Sequence, residues 1–387
     1  MQPSSYQERW LSQIAWHKRM REKEPISYDE QNKTWNVFLY EDVVRVLADP
    51  ATFSSDTSII LPQQGGSFAD MTQMDPPRHR QFRGLVSQAF TPRIVEQMAP
   101  RIAAIVNELL DAVAPQGEMD MQRDLSAPLP CIVIAELLGI PREDHGRFKG
   151  WSDALIASMS GSLEEISTAQ SKSLLMQEMF AYVQDFCQKR RQHPAEDLTS
   201  YLIQAQDEGQ TLSDGEIMSI VATLLIAGNI TTTILLGNAI LCLDEHPDAM
   251  KAIRADPSLL PSAIEEVLRY RPPFTGMQRV TTTDVALHGI TIPARQMVTN
   301  WILSANYDER QFPDPERFDI RRHPNRHQAF GHGIHYCLGA PLARLEARIA
   351  LEILLERFPG LSLVPGREIV PHESIYVLGV QNLPVIW

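Results

Sequence analysis

Apolar residues fall at helical spacing through most of this chain, with short alternating runs confined to a few places. Residues 217–243 carry no charge over 27 positions, long enough either to span a bilayer or to form a helix buried on every side. The flanks Asp214, Glu216 and Asp244 are acidic where a membrane span favours basic ones, and Asn229, Thr231, Thr232, Thr233 and Asn238 interrupt the run. These features favour a buried core helix. A second helix is expected after residue 337, where Leu338, Leu342, Leu345, Ile349 and the residues from Leu351 to Leu355 recur with helical period. Further helical periodicity covers 94–113, 131–138 and 174–187, with breaks at Pro115, Pro141 and Pro194. A strand is expected at 34–40 and a helix at 40–48, stopped by Asp49-Pro50. A short helix at 261–270 precedes strands at 278–281, 285–288 and 291–292, and residues 374–385 read as a hairpin. The fold class is therefore mainly α with a small β region. Without repeats or low-complexity linkers, residues 1–387 form a single large domain.

Composition narrows the class. A hydrophobic content of 44% suits a globular chain with a sizeable core, and a net charge of −13 argues against nucleic-acid binding. Cys131, Cys187, Cys242 and Cys337 show no paired spacing, which implies a reducing compartment. Residues 1–21 contain no apolar signal core. The expectation is a cytoplasmic, monomeric protein with no membrane anchor.

The chemistry concentrates at residues 330–344, Phe-Gly-His-Gly-Ile-His-Tyr-Cys-Leu-Gly-Ala-Pro-Leu-Ala-Arg. Cys337 lies between a glycine-rich loop and a helix start, where backbone N–H groups and the helix dipole stabilise a thiolate. Gly331, Gly333 and Gly339 allow close passage of the backbone beside something bulky. A buried apolar cysteine is the plainer alternative, and His332, His335 and Cys337 could also supply three zinc ligands.

The run resembles the haem-binding signature of the cytochromes P450, through Phe330, Gly331, Gly333, His335, Cys337 and Gly339, followed by Ala343 and Arg344. The resemblance implies a haem-binding loop at 330–339 holding haem b, with Cys337 as the axial ligand of the iron. Other segments match it. Asp75-Pro-Pro-Arg-His leads into a helix that sets His79 and Arg83 on one face, and the resemblance makes this pair, with Arg279, ligands of the haem propionates. Residues 227–232, Ala-Gly-Asn-Ile-Thr-Thr, match the oxygen-activation segment of a central helix at about 214–244. Small Ala227 and Gly228 permit approach of a flat cofactor, and the Thr231 hydroxyl can bond to the Ala227 carbonyl. The family usually has an acid immediately before this threonine, where this chain has Ile230; Asn229 with water is the expected substitute. Glu266 and Arg269 match the family's buried Glu-x-x-Arg pair, and Arg322 is the candidate third member. The loop at 63–67 should lie over the haem, with lid helices within 148–191 and a pocket lined by Ile60, Leu224, Phe274, Met277 and Leu378, with Val377 also reaching it.

The resemblance implies a monooxygenase that inserts one atom of dioxygen into a hydrophobic small molecule. Its electrons would come from an acidic ferredoxin or flavodoxin with its reductase, because the chain contains no flavin or nicotinamide domain. Ten arginines in 78–93 and 317–348, in an otherwise acidic protein, mark the expected docking face. A peroxide-driven peroxygenase, a haem-thiolate isomerase and a haem sensor or carrier are the alternatives.

Overall fold

The uncharged segment forms a 32-residue helix, Asp214–Glu245, around which the described structure is arranged. Ser213 accepts the Glu216 N–H while the Glu216 carboxylate accepts the Ser213 N–H, a reciprocal cap that fixes where the helix begins. By length and composition this helix could cross a membrane, but most of its apolar stretch is buried inside the protein. It packs on Pro128–Leu138, Ala340–Arg357 and Leu260–Tyr270, all of which contribute to one large apolar core. The computed structural model describes residues 5–60, 71–148, 150–151, 165–207 and 212–387, without the side chains of 89, 165–173 and 175–176. The expected loop at 63–67 and part of the expected lid stretch therefore lie outside the described residues.

The main sheet has five strands in the order Ile26–Asp29, Thr34–Val37, Met297–Asn300, Met277–Thr281, Phe53–Ser54. Two small sheets join Glu118–Asp120, Pro384–Ile386 and Ser362–Leu363 in one, and Val285–Leu287 with Ile290–Ile292 in the other. In the main sheet the strand directions are mixed. Thr34–Val37 pairs parallel with Met297–Asn300, while the other neighbours are antiparallel. The helix Tyr40–Ala48 follows Thr34–Val37 as its pattern predicts.

The C-terminal hairpin is displaced from its expected place. Residues 370–372 link to 379–381 through His372 N–H to Gly379 O (3.0 Å) and Gln381 N–H to Val370 O (2.7 Å). The intervening tip bonds elsewhere: Thr275 N–H to Tyr376 O and Leu378 N–H to Pro273 O, both 3.0 Å. Asn238, from the central helix, donates to Leu378 O at 2.8 Å. The tip's polar backbone is thus satisfied by neighbouring segments rather than by a partner strand.

Candidate active site

Cys337 ends a tight loop that is closed by its own N–H donating to Phe330 O at 2.8 Å. Gly331 and Gly333 take the left-handed conformation at φ 72° and 69°. At Gly333 a Cβ would also collide with the backbone of Leu47, 2.7 Å away, so this glycine lets the loop lie on the helix Tyr40–Ala48. At Gly339 a Cβ would meet no protein atom. Burial raises the Cys337 thiol, and the Gly339 and Ala340 N–H groups, with Arg83 and Arg344, pull it back. Cys187 and Cys242 have no such N–H donors among the causes of their shifts, and burial pushes both up to about 12. Of these three thiols, Cys337 alone sits where the backbone favours a thiolate.

Beside the loop lies a cation-rich centre. The rings of His79 and His335 are 4.2 Å apart, and the Nε2 atoms of both are buried without a hydrogen-bond partner. Burial lowers the His335 pKa to about 3, with His79, Arg279 and Arg83 adding to the depression. Burial and Arg83 lower that of His79 as well. Arg279 is buried and, among the described residues, donates only to its neighbour's carbonyl, Gln278 O, at 2.7 Å. Arg83 donates to Tyr336 O at 2.6 Å. The nearby acid, Asp75, already accepts from the Ser54 hydroxyl and the Ser55 N–H. Such a centre suits a ligand with two carboxylates, which would fill the empty acceptor positions.

The central helix presents one open row. Ala227 is exposed and Thr223, Ile226 and Thr231 are half-buried, in the middle of a helix otherwise packed on all sides. Thr231 Oγ1 donates to Ala227 O at 2.9 Å, as expected. Asn229 lies on the opposite face, buried, with its Oδ1 accepting from Thr233 Oγ1 at 3.2 Å. It cannot stand in for the acid beside Thr231, because a two-residue step turns a helix through about 200°. Gly228 abuts Ile134, where a Cβ would come within 3.1 Å. Its small size therefore serves helix packing.

Behind this region the Glu266 carboxylate takes both Arg269 Nε and Nη2 at 2.8 Å, and neither side chain has any exposed surface. Arg322 Nε (3.2 Å), Asn325 Nδ2 (3.1 Å) and the Asp319 N–H (2.9 Å) also donate to it. Arg322 is thus the third charged member.

The cytochrome P450 family model matches residues 21–382. This chain belongs to the cytochrome P450 family. It is 44% identical over 374 residues to a cyclomarin C epoxidase of Salinispora arenicola, covering 96% of this chain and 94% of that protein. The erythromycin C-12 hydroxylase of Saccharopolyspora erythraea is 43% identical, with the same coverage of both chains. Among solved structures, CYP109E1 of Bacillus megaterium in complex with testosterone superimposes with a TM-score of 0.94 at 41% identity, covering 99% of both chains. The fold is that of the P450s, and the enzyme is a haem-iron monooxygenase that acts on a small molecule.

The orphaned Nε2 atoms of His79 and His335, buried Arg279 and the thiolate-favouring Cys337 fit a P450 haem. The zinc alternative falls away: among the described residues, His332, His335 and Cys337 do not converge to ligating distance. The group that does is Glu41, Asp42 and His288.

The expected P450 pocket is partly redrawn. Phe274 is half-buried in a cluster with Ile226, Ile230, Ile234 and Val377. Met277 is half-buried, with its Sδ 3.9 Å from the Cβ position of Gly331, and Ile60 is half-buried beyond the short turn Thr57–Ile59. Leu378 is a correction. It packs with Trp10, Leu303 and Tyr307, and Val377 takes the place on the central helix, because successive residues of an extended segment point to opposite sides. Leu224 is buried in the main core.

One polar cluster has no counterpart among the sequence expectations. Glu265 accepts Arg344 Nε at 2.7 Å and Nη2 at 2.8 Å, and pairs with His327 Nε2 at 3.2 Å. Burial raises the Glu265 carboxyl, but the hydrogen bonds from His327 and Arg344 outweigh it and hold it at about 2. Arg344 also lies over the Phe330 ring, 4.4 Å from its centroid. The adjacent acids Glu265 and Glu266 give no sign in sequence of which partner each will take.

Proposed function

We propose that this chain is a single-domain, cytoplasmic, monomeric haem b monooxygenase, with Cys337 as the iron's axial ligand. The observation that carries this reading is the Cys337 sulfur facing the Gly339 and Ala340 N–H groups beside the unpartnered His79–His335 pair. His79, Arg83, Arg279 and His335 would hold the two carboxylates of the cofactor. A bound haem-thiolate supplies reductive activation of dioxygen and transfer of one oxygen atom to the substrate. Around it the chain does the rest. The two N–H donors offset part of the cost of burying the sulfur as an anion and would stabilise it as the iron's ligand. Thr231, with its proton committed to Ala227 O, offers oxygen lone pairs to the open row and can accept a hydrogen bond there. Ile226, Phe274 and Met277 make the wall apolar, which supports a hydrophobic substrate.

The electron donor in this reading is an acidic ferredoxin or flavodoxin with its reductase. Arg80, Arg93 and Arg326 are exposed and make no ion pair among the described residues. Arg344, Arg322 and Arg78 are committed inward, to Glu265, Glu266 and Glu216. The docking charge therefore rests on fewer arginines than the sequence count of ten.

A second reading, turnover driven by peroxide, is favoured by one observation: Ile230 is sealed among apolar side chains, so no acid stands before Thr231. Turnover of a substrate panel with a surrogate ferredoxin and reductase, set against peroxide alone, tests both. Product formed only with reductant, dioxygen and ferredoxin is expected. Product formed only with peroxide would overturn the reading.

A further inference from the structure

We propose that Thr223 is a specificity-determining residue that selects substrates bearing a hydrogen-bonding oxygen about 6–12 Å from the carbon to be oxidised. This rests on the monooxygenase reading and adds to it the chemistry of the substrate. The site itself stands on other groups, Cys337 and the buried, unpartnered Nε2 of His79. The central helix shows where its substrate lies.

Within residues 217–243 the positions left uncovered beyond the first turn are Thr223, Ile226, Ala227, Gly228 and Thr231. At 100° per residue, Thr223, Ala227 and Thr231 form a row that drifts only 40° per step. Thr231 and Ala227 are joined by a hydrogen bond at the end of the row that matches the oxygen-activation segment. Thr223 lies eight residues earlier, about 12 Å along the axis from Thr231 and about 6 Å from Ala227 at 1.5 Å per residue. The wall that continues the open row is apolar: Ile226 lies three residues on, with Phe274 packed in the same cluster.

A hydroxyl on an apolar wall discriminates between ligands. It already has a partner, but with one donor and two lone pairs it can bond to a second group. Covering it with hydrocarbon removes water from that remaining capacity without replacement, which costs free energy; a carbonyl or hydroxyl of the substrate restores it. The favoured ligand is therefore an elongated apolar scaffold, reacting at the Thr231 end and carrying an oxygen at the other. Steroid dimensions suit this spacing, and so does a medium-chain alcohol.

The test uses the purified haem protein and equilibrium titrations read from substrate-induced spectral shifts. Two probe pairs differ only in oxygen content: testosterone against 5α-androstane, and 1-dodecanol against dodecane. Wild type should bind the oxygenated member of at least one pair more tightly. Thr223→Val should reduce that preference about threefold to tenfold, the worth of one neutral hydrogen bond, and should raise rather than lower the hydrocarbon's affinity. Thr223→Ser should retain the preference. A wild type without preference in either pair, or a valine variant that keeps it, would overturn the assignment. The carbonyl spectrum of the same samples separates the two levels: loss of the thiolate-type band in wild type overturns the haem-thiolate reading, and its retention without ligand preference overturns only the role of Thr223.

Discussion

Ile230 packs against Val377, closing an apolar cluster between the central helix and the C-terminal tip that also includes Ile226, Ile234 and Phe274. Only 4% of the Ile230 surface is exposed. The position that P450 resemblance reserves for an acid is therefore a packed wall, and Asn229 faces away from it.

Proton delivery should be inefficient as a result. Wild type is expected to divert a large share of its electrons to peroxide during turnover. From sequence alone, Ile230→Glu is expected to improve coupling; the packing changes that expectation. A carboxyl at 230 would be buried among hydrocarbon, held neutral, and would destabilise the protein by about 2 kcal/mol or more. Melting temperature and the ratio of product to reductant consumed test this together. A stable, better-coupled glutamate variant would show that water reaches this wall.

The Glu266–Arg269 pair should be indispensable to the fold. Removing one partner leaves the other charge buried without compensation, at about 3–5 kcal/mol. Glu266→Gln and Arg269→Ala are expected to yield little folded, haem-loaded protein. Arg322→Ala should be milder, since Arg322 reaches the surface and Glu266 keeps its two hydrogen bonds from Arg269. Wild-type melting curves for either pair variant would contradict the burial argument.

Glu346 predicts a pH dependence. Its carboxyl is 2% exposed, Oε2 has no hydrogen-bond partner, and burial pushes its pKa up to about 8. Because the folded value lies above the unfolded one, the contribution to stability is fully present below the ordinary carboxylate range. It is lost as pH rises toward 8, at about 1.4 kcal/mol per pH unit at most. Glu346→Gln should match wild type near pH 5 and melt higher at pH 8. Parallel curves across that range would mean that the carboxylate has an ionic partner.

The redox face can be tested with arginines that carry unpaired charge. Reduction by an acidic ferredoxin should slow several-fold between low salt and about 0.3 M, where screening shortens well below ~10 Å. Arg326→Glu and Arg93→Glu should slow reduction without altering substrate affinity. Arg344→Glu is a poorer probe, because it breaks the Glu265 pair and perturbs the cysteine loop. Reduction rates indifferent to salt and to both reversals would place docking elsewhere.

Local chemistry was legible before any coordinates. The charge-free run became the buried helix, the Thr231–Ala227 bond formed, and the residues gathered around Cys337 are those the motif indicated. Side-chain direction was harder to read. Asn229 and Leu378 lie next in sequence to open-row or pocket residues, yet one helical step or one extended step turns them away. The Glu265–Arg344 pair joins residues 79 positions apart, and no local pattern encodes such a meeting. The hairpin shift has the same origin: residues 374–378 spend their backbone hydrogen bonds on Asn238, Pro273 and Thr275, all supplied by the tertiary fold.

The most direct test of the central claim is the spectrum of the reduced carbonyl complex of the purified protein, compared between wild type and Cys337→Ala. Wild type should contain haem and show the red-shifted Soret band of a thiolate-ligated iron, and the alanine variant should lose that band. A colourless wild type, or a thiolate band that survives in Cys337→Ala, would contradict the assignment of Cys337 as the axial ligand.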